Sequence, residues 1–192
     1  MPPKRDGTRR FCVDFRQLNK TVVQDSYPLP NIQDLLERLS GARYFSKLDV
    51  TNAYWQIPIR ESDRKKTAFF IGPDYGVYEF NRMPFGITTA PSTFQRAIDN
   101  LLSSCKYCLA YMDDIIIFSS TLDEHINNID KVFNLFKEPG LKLSPQKCQL
   151  AEERIDFLGY QVDFGGVSVN SERTKPILDW STPKKVEIFK DF

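Results

Sequence analysis

Residues 111–118 read Tyr111-Met112-Asp113-Asp114-Ile115-Ile116-Ile117-Phe118, and the apolar pattern around the two acids begins at Leu109. On a straight strand, neighbouring side chains point to opposite faces. One of two adjacent aspartates would then enter a core, and burying an unpaired charge costs far more than one residue's packing returns. The pair is therefore expected at the turn of a hairpin, with both acids near a cation. A polar turn alone also accommodates aspartate. A third acid favours the cation site: Asp49 ends a second apolar strand pattern, Tyr44-Phe45-Ser46-Lys47-Leu48. Phosphoryl transfer needs such a set, because two Mg²⁺ ions about 3.5–4 Å apart stabilise the attacking and leaving oxygens of an in-line displacement. Mg²⁺ prefers carboxylate oxygens, water and substrate phosphates, so two or three carboxylates on rigid strand ends suffice.

Working outward, Asn31–Leu39 holds Ile32, Leu35, Leu36 and Leu39 at helical spacing and stops at Gly41. Pro91–Leu102 reads as a helix with Pro in its first turn and Phe94, Ile98 and Leu101 on one face. Leu122–Lys137 reads as a helix with Ile126, Ile129, Phe133 and Phe136 on one side, followed by Gly140. Strands are expected at Phe11–Phe15, at Tyr44–Asp49, and as a pair over Thr67–Ile71 and Val77–Phe80. Further strands are expected at Ile155–Val162 and Val167–Val169, joined at Gly165-Gly166, and Asp6-Gly7 reads as a hairpin tip. The order strand, helix, strand pair, helix, strand through the middle is that of an α+β fold with a split βαβ core.

The 192 residues fit one domain, or one domain and part of another. With 41% hydrophobic and 13% aromatic residues the chain can bury a core, which argues against disorder. Lys and Arg total 26 against 25 Asp and Glu, a net charge of +1. Many nucleic-acid binders are strongly basic, so any such contact here must come from local patches. The chain contains no apolar signal segment and no long apolar run, so no membrane partner is expected. The cysteines Cys12, Cys105, Cys108 and Cys148 read as free thiols in a reducing compartment. Cys105 and Cys108 form one C-x-x-C pair without a second pair, and only His125 could add a ring nitrogen, so buried unpaired thiols are expected rather than zinc.

The motifs occur in a fixed order. Arg10-Phe11-Cys12-Val13-Asp14-Phe15-Arg16-Gln17-Leu18-Asn19 precedes Tyr27-Pro28-Leu29-Pro30. Leu48-Asp49-Val50 is followed by Ala53-Tyr54-Trp55-Gln56-Ile57 and Lys66-Thr67-Ala68-Phe69. Tyr78-Glu79-Phe80, Met83-Pro84-Phe85-Gly86, Ala90-Pro91 and Thr93-Phe94-Gln95-Arg96 lead to Tyr111-Met112-Asp113-Asp114. Gly140-Leu141-Lys142-Leu143, Lys147-Cys148 and Phe157-Leu158-Gly159-Tyr160 close the series. Over nearly its whole length the chain resembles the Pol reverse transcriptases of gypsy-type long-terminal-repeat retrotransposons, which are related to retroviral reverse transcriptases.

That resemblance implies a right-hand polymerase with a palm and fingers, the fingers over about 1–45 and 58–85 and the palm over about 46–57 and 86–180. Residues 181–192 would start a linker toward a thumb, with connection and RNase H parts beyond, so the chain is expected to be a fragment that begins inside the fingers. It implies addition of deoxynucleotides to a primer on an RNA or DNA template, with two Mg²⁺ ions (Mn²⁺ as a substitute), in the cytoplasm within retrotransposon particles. Asp49, Asp113 and Asp114 would be the metal-binding triad, with Val50 beside them in both the metal and the nucleotide sets. Lys4 and Arg10 would hold the triphosphate, and their fork and point charges suit phosphate oxygens. Tyr54 would be a steric gate against a ribose 2′-OH, acting by a built-in clash; its alternative is a core aromatic. Phe85 would pack against the nucleotide or template. Lys147 would donate a proton to the leaving pyrophosphate; its alternative is a plain surface lysine. Phe157, Leu158, Gly159 and Tyr160 would form the hairpin that grips the primer end.

Pro58 interrupts the strand-like run after Ile57 and suggests an edge or bulge there. Two other functions stay open on sequence. One is an RNA-templated RNA polymerase, against which Tyr54 and Met83-Pro84-Phe85-Gly86 argue. The other is a domesticated or decayed fragment that only binds nucleic acid or protein, against which the intact aspartates argue.

Overall fold

The strand that ends in Asp49 pairs directly with the strand that begins at Asp114. A computed structural model describes residues 11–170, 174–175 and 179–180. The Asp6-Gly7 turn, Lys4 and Arg10 lie outside the described residues. β1 (Tyr44–Asp49) is followed by the hairpin of β2 (Phe69–Gly72) and β3 (Gly76–Tyr78), then by β4 (Cys108–Tyr111), β5 (Asp114–Ser119) and β6 (Gln149–Glu152). β4, β5, β1 and β6 form one antiparallel sheet in the spatial order β4-β5-β1-β6. A second sheet, β7 (Arg154–Phe157), β8 (Tyr160–Asp163) and β9 (Gly166–Val169), follows in sequence order. The helices are α1 (Arg16–Asn19), α2 (Ile32–Arg38), α3 (Glu61–Arg64), α4 (Ala90–Leu101) and α5 (Leu122–Lys137). The order β1-α4-β4-β5-α5-β6 is the expected split βαβ arrangement.

The two faces of the four-stranded sheet have different partners. Leu48, Ile115, Ile117, Cys108 and Ala110 meet Phe94 and Ile98 of α4 and Val132 and Phe136 of α5 in one core. Phe45, Leu109 and Ile116 meet Leu35, Leu36 and Leu39 near α2, and Ile155, Phe157 and Val162 of the second sheet, in another. Alternation along β1 produces this division. The second core covers one end of its face; Lys47 and Asp49 continue that face beyond it.

Local chemistry sets several boundaries. Asn31 caps α2 by accepting from Gln33 N at 2.9 Å, and Gly41 follows at φ +79°. Pro91 stands in the first turn of α4. Pro58 pairs with Arg82 in an isolated bridge, an edge position that suits its missing N–H.

The structure corrects three expectations. Phe11–Phe15 is not a strand. The Asp14 carboxylate accepts from Arg16 N and the Arg16 guanidinium, which bends the chain into α1, while Phe11 packs on Phe69 and Phe15 on Phe80. Ile155–Val162 is not one strand, because Leu158 (φ +52°) and Gly159 (φ +88°) turn it into the β7–β8 hairpin. The buried side of α5 is not the Ile126, Phe133 stripe, whose members are 49% and 37% exposed. The buried residues are His125, Asn128, Val132 and Phe136.

That rotation has a polar cause. The His125 ring places Nε2 2.7 Å from Ser46 Oγ and Nδ1 3.1 Å from Ser119 Oγ. Asn128 Nδ2 donates to Ser119 Oγ at 3.0 Å, and Ala151 N donates to Ser46 Oγ at 2.9 Å. A satisfied buried network ties α5 to β1, β5 and β6. Burial holds the His125 imidazole below its ordinary value, opposed by the Glu124 charge and the Phe45 backbone. The unfolded chain then binds the extra proton first, so stability is present above about pH 6.5 and falls as pH drops through the lowered native value. Thermal melts from pH 7.5 to 5.5 should show a decreasing Tm, and His125→Gln should flatten the decrease. An equal slope in both proteins would remove His125 as its source.

Candidate active site

Asp49 and Asp114 are cross-strand partners at the ends of β1 and β5. Tyr111 pairs with Asp114 and leaves Met112 and Asp113 as a two-residue loop, so the expected hairpin turn is present. Met112 has φ +54° at the first loop position, the pattern of a type II′ turn that glycine usually fills. A side chain there costs about 1–2 kcal/mol.

Gln95 offsets that strain, and sequence reading had given it no role. It is fully buried on α4. Its Oε1 accepts from Met112 N at 2.6 Å, while Nε2 donates to Ala110 O at 3.0 Å and Asp99 Oδ1 at 2.8 Å. Asp99 Oδ2 in turn accepts from Tyr27 OH at 2.7 Å. The available signal was a long amide three residues before Ile98, on the apolar side of the helix. Gln95→Leu leaves the Met112 N–H without this partner, which costs about 1–3 kcal/mol. The Tm of Gln95→Leu should therefore fall by a few degrees. An unchanged melt would mean that the Met112 N–H does not depend on Gln95.

Beyond Asp49, Asn52 adopts a left-handed conformation (φ 47°, ψ 50°) that asparagine tolerates. The chain then enters a 3₁₀ turn, Ala53–Gln56. Gln56 fixes this turn: its Nε2 donates to Thr51 O and Lys142 O, and its Oε1 accepts from Lys142 N. The Tyr54 ring lies 5.3 Å from Phe85 and 5.9 Å, edge-on, from Phe94. Burial raises the Tyr54 phenol, and the Asp113 charge raises it further. Tyr54 and Phe85 thus form an aromatic wall within electrostatic reach of Asp113. Val50 is buried in the core with Leu48, and its backbone bridges to Leu143.

Two lysines reach the carboxylates. Lys147 Nζ lies 3.5 Å from Asp49 Oδ1, carried by the turn Pro145–Lys147, and Ser144 N donates to Asp49 O at 2.9 Å. Lys47 Nζ lies 2.9 Å from Asp114 Oδ1. Sequence reading counted Lys47 only as a member of the strand pattern. Among the described residues, no three His, Cys, Asp or Glu side chains are gathered tightly enough to hold a metal unaided. The donor chemistry still fits Mg²⁺: Asp49 and Asp114 are hard oxygen donors on adjoining strand ends, and each already attracts a cation. Substrate phosphates and water normally complete such a site.

At the β7–β8 hairpin, Phe157 is wholly buried, which leaves the Leu158-Gly159 backbone and the half-buried Tyr160 as its accessible parts. Cys105 and Cys108 are buried against α4, and burial pushes the Cys108 thiol up. A cleft lined by Thr51, Trp55, Gln56, Arg82, Leu101 and Lys142 contains none of the three aspartates. The carboxylates stand outside that cleft, with Asp113 exposed and Asp49 and Asp114 partly exposed.

The family described as reverse transcriptase (RNA-dependent DNA polymerase) matches residues 2–162. The retrovirus-related Pol polyprotein from transposon 297 of Drosophila melanogaster is 39% identical over 191 residues, 96% of this chain and 18% of that protein. Other curated relatives match in the same way, and the chain spans less than a fifth of their length. The foamy viral protease-reverse transcriptase dRH, solved in complex with dsDNA, superposes with a TM-score of 0.87 at 28% identity, over 97% of this chain and 32% of that one. The foamy viral protease-reverse transcriptase in complex with an RNA/DNA hybrid gives 0.82 at 29% identity, over 94% and 24%. The mixed helix and sheet arrangement described above is the palm-and-fingers fold of these enzymes.

Proposed function

This chain belongs to the reverse transcriptase (RNA-dependent DNA polymerase) family, and on that premise we propose that it bears the fingers and palm of an RNA- and DNA-templated DNA polymerase. The observation that supports this most is the direct pairing of Asp49 with Asp114, with Asp113 in the adjoining loop beside Tyr54. The ligands are a primed RNA or DNA template and deoxynucleoside triphosphates. The fingers cover about 1–45 and 58–85, and the palm about 46–57 and 86–180, with 181–192 leading toward the thumb, connection and RNase H parts of a Pol polyprotein. The setting is the cytoplasmic particle of a retrotransposon; among the described residues no helix is long and apolar enough to cross a membrane.

In the reaction, the primer 3′-oxygen attacks the α-phosphorus of the incoming nucleotide and the α–β phosphoanhydride bond breaks, releasing pyrophosphate. Asp49, Asp113 and Asp114, with the backbone of Val50, would hold two Mg²⁺ ions, or Mn²⁺, which would supply charge neutralisation at the transferring phosphate. The Tyr54 ring excludes a ribose 2′-OH, and Phe85 backs that ring and packs on the nucleotide or template. Lys147 supplies a proton toward the leaving pyrophosphate from its place beside Asp49. Lys4 and Arg10 take the triphosphate. The Leu158-Gly159 turn and Tyr160 hold the primer end, while Phe157 anchors that hairpin in the core.

A competition assay on a primed RNA template separates this reading from an RNA polymerase. Deoxynucleotides should be incorporated in preference to ribonucleotides. Because the net charge is only +1, duplex binding rests on local phosphate contacts and should weaken steeply between low and physiological salt. Preference for ribonucleotides would overturn the assignment.

A further inference from the structure

Lys47 stands two residues before Asp49 and so shares its face of β1. Nothing in the strand requires a cation there: Phe45 precedes it on that face, and its cross-strand partners are Ile116 and Gln149. Its Nζ lies 2.9 Å from Asp114 Oδ1 and 3.5 Å from the Asp156 carbonyl, immediately before Phe157. The Lys47 side chain is 23% exposed and that of Asp114 34%. The ammonium therefore spans a carboxylate of the metal site and the hairpin assigned to the primer end.

We propose that Lys47 is a positioning residue whose ammonium competes with a divalent cation for Asp114 and transfers to a phosphodiester of the primer end when the duplex docks. At 2.9 Å the ammonium uses a lone pair of Oδ1 and places a positive charge where a second cation must come. The lysine stem is flexible and its head is a compact point charge, so it can leave one anion for another. The phosphodiester is that second anion. Duplex binding thereby frees Asp114 for metal, and by linkage metal binding favours the duplex. The transfer half rests on the polymerase reading; the competition half does not.

The test measures Mn²⁺ binding by electron paramagnetic resonance, without nucleotide or duplex, for the chain and its Lys47→Met and Lys47→Arg variants. Lys47→Met should bind Mn²⁺ about tenfold more tightly, a modest factor because both groups are partly solvated. Lys47→Arg should stay near the parent, and Asp114→Asn combined with Lys47→Met should cancel the gain. Fluorescence anisotropy of a primed duplex against salt provides the second arm. Loss of one phosphate contact should make the logarithmic salt slope shallower by about one for Lys47→Met. Circular dichroism of each variant confirms the fold, and Lys47→Arg carries the test if the methionine variant does not fold: charge retained with Mn²⁺ affinity shifted tenfold would overturn competition. Unchanged Mn²⁺ affinity in Lys47→Met overturns it directly. An unchanged salt slope overturns transfer. Tighter Mn²⁺ binding in a chain that extends no primer would sink the polymerase reading and leave the competition standing.

Discussion

Replacing Asp113 by asparagine should lower deoxynucleotide incorporation by about three orders of magnitude or more, with the fold unchanged. Asp113 is exposed in the two-residue loop between β4 and β5, so no core contact is lost. Surface substitutions of this kind usually stay within about 0.5 kcal/mol of the parent. The amide keeps the shape and removes the charge that, on the proposed reading, would help hold the metal ions. Several kcal/mol of transition-state stabilisation depend on that charge, and each 1.4 kcal/mol or so is tenfold in rate. Single-turnover incorporation at saturating nucleotide, alongside a thermal melt, checks both halves. Near-normal extension with an unchanged melt would remove Asp113 from the catalytic set.

The second large effect concerns the sugar. Tyr54 lies five positions after Asp49 (54 − 49 = 5), and its ring packs against Phe85 within electrostatic reach of Asp113. On the proposed reading a deoxyribose would fit beside the ring, whereas a ribose 2′-OH would overlap it or push the sugar off line. A displacement of about 1 Å costs on the order of a hundredfold. Tyr54→Val should therefore raise ribonucleotide relative to deoxyribonucleotide incorporation by roughly that factor, while deoxyribonucleotide use declines modestly. The ring also packs against Phe94 and the core around α4, so some stability, about 2–4 kcal/mol, is lost with it. Loss of packing lowers both substrates alike. Only the ratio of the two efficiencies reports the gate, and an unchanged ratio would leave Tyr54 as core.

The carboxylate hairpin was legible because charge inside an apolar strand admits few solutions. Asp113-Asp114 had to turn, and Asp49 had to end its strand. The helices starting near Asn31 and Pro91 were legible because apolar spacing and a first-turn proline are local signals. The rest depended on distant partners. Helix α5 buries His125 and Asn128 because Ser46 and Ser119 receive them from other strands, and no count of apolar residues along α5 contains those serines. β6 was missed because Gln149-Leu150-Ala151-Glu152 is an exposed edge held to β1 partly by Ser46. The break at Leu158 puts a bulky residue at positive φ, against its local preference. Gln95 and Lys47 were read as motif and strand members because their meaning lies in where Met112 and Asp114 come to rest.

Template-directed DNA synthesis at the Asp49–Asp113–Asp114 site is open to a primer-extension measurement. The chain is mixed at low salt with Mg²⁺, a DNA primer on an RNA template, and each of the four deoxynucleotides in turn. The expected result is addition of the complementary nucleotide alone, weak and distributive, and none by Asp113→Asn. Tight binding of the same hybrid without extension, in Mg²⁺ or in Mn²⁺, would contradict it and mark the chain as a binding fragment that has kept the carboxylates without the chemistry.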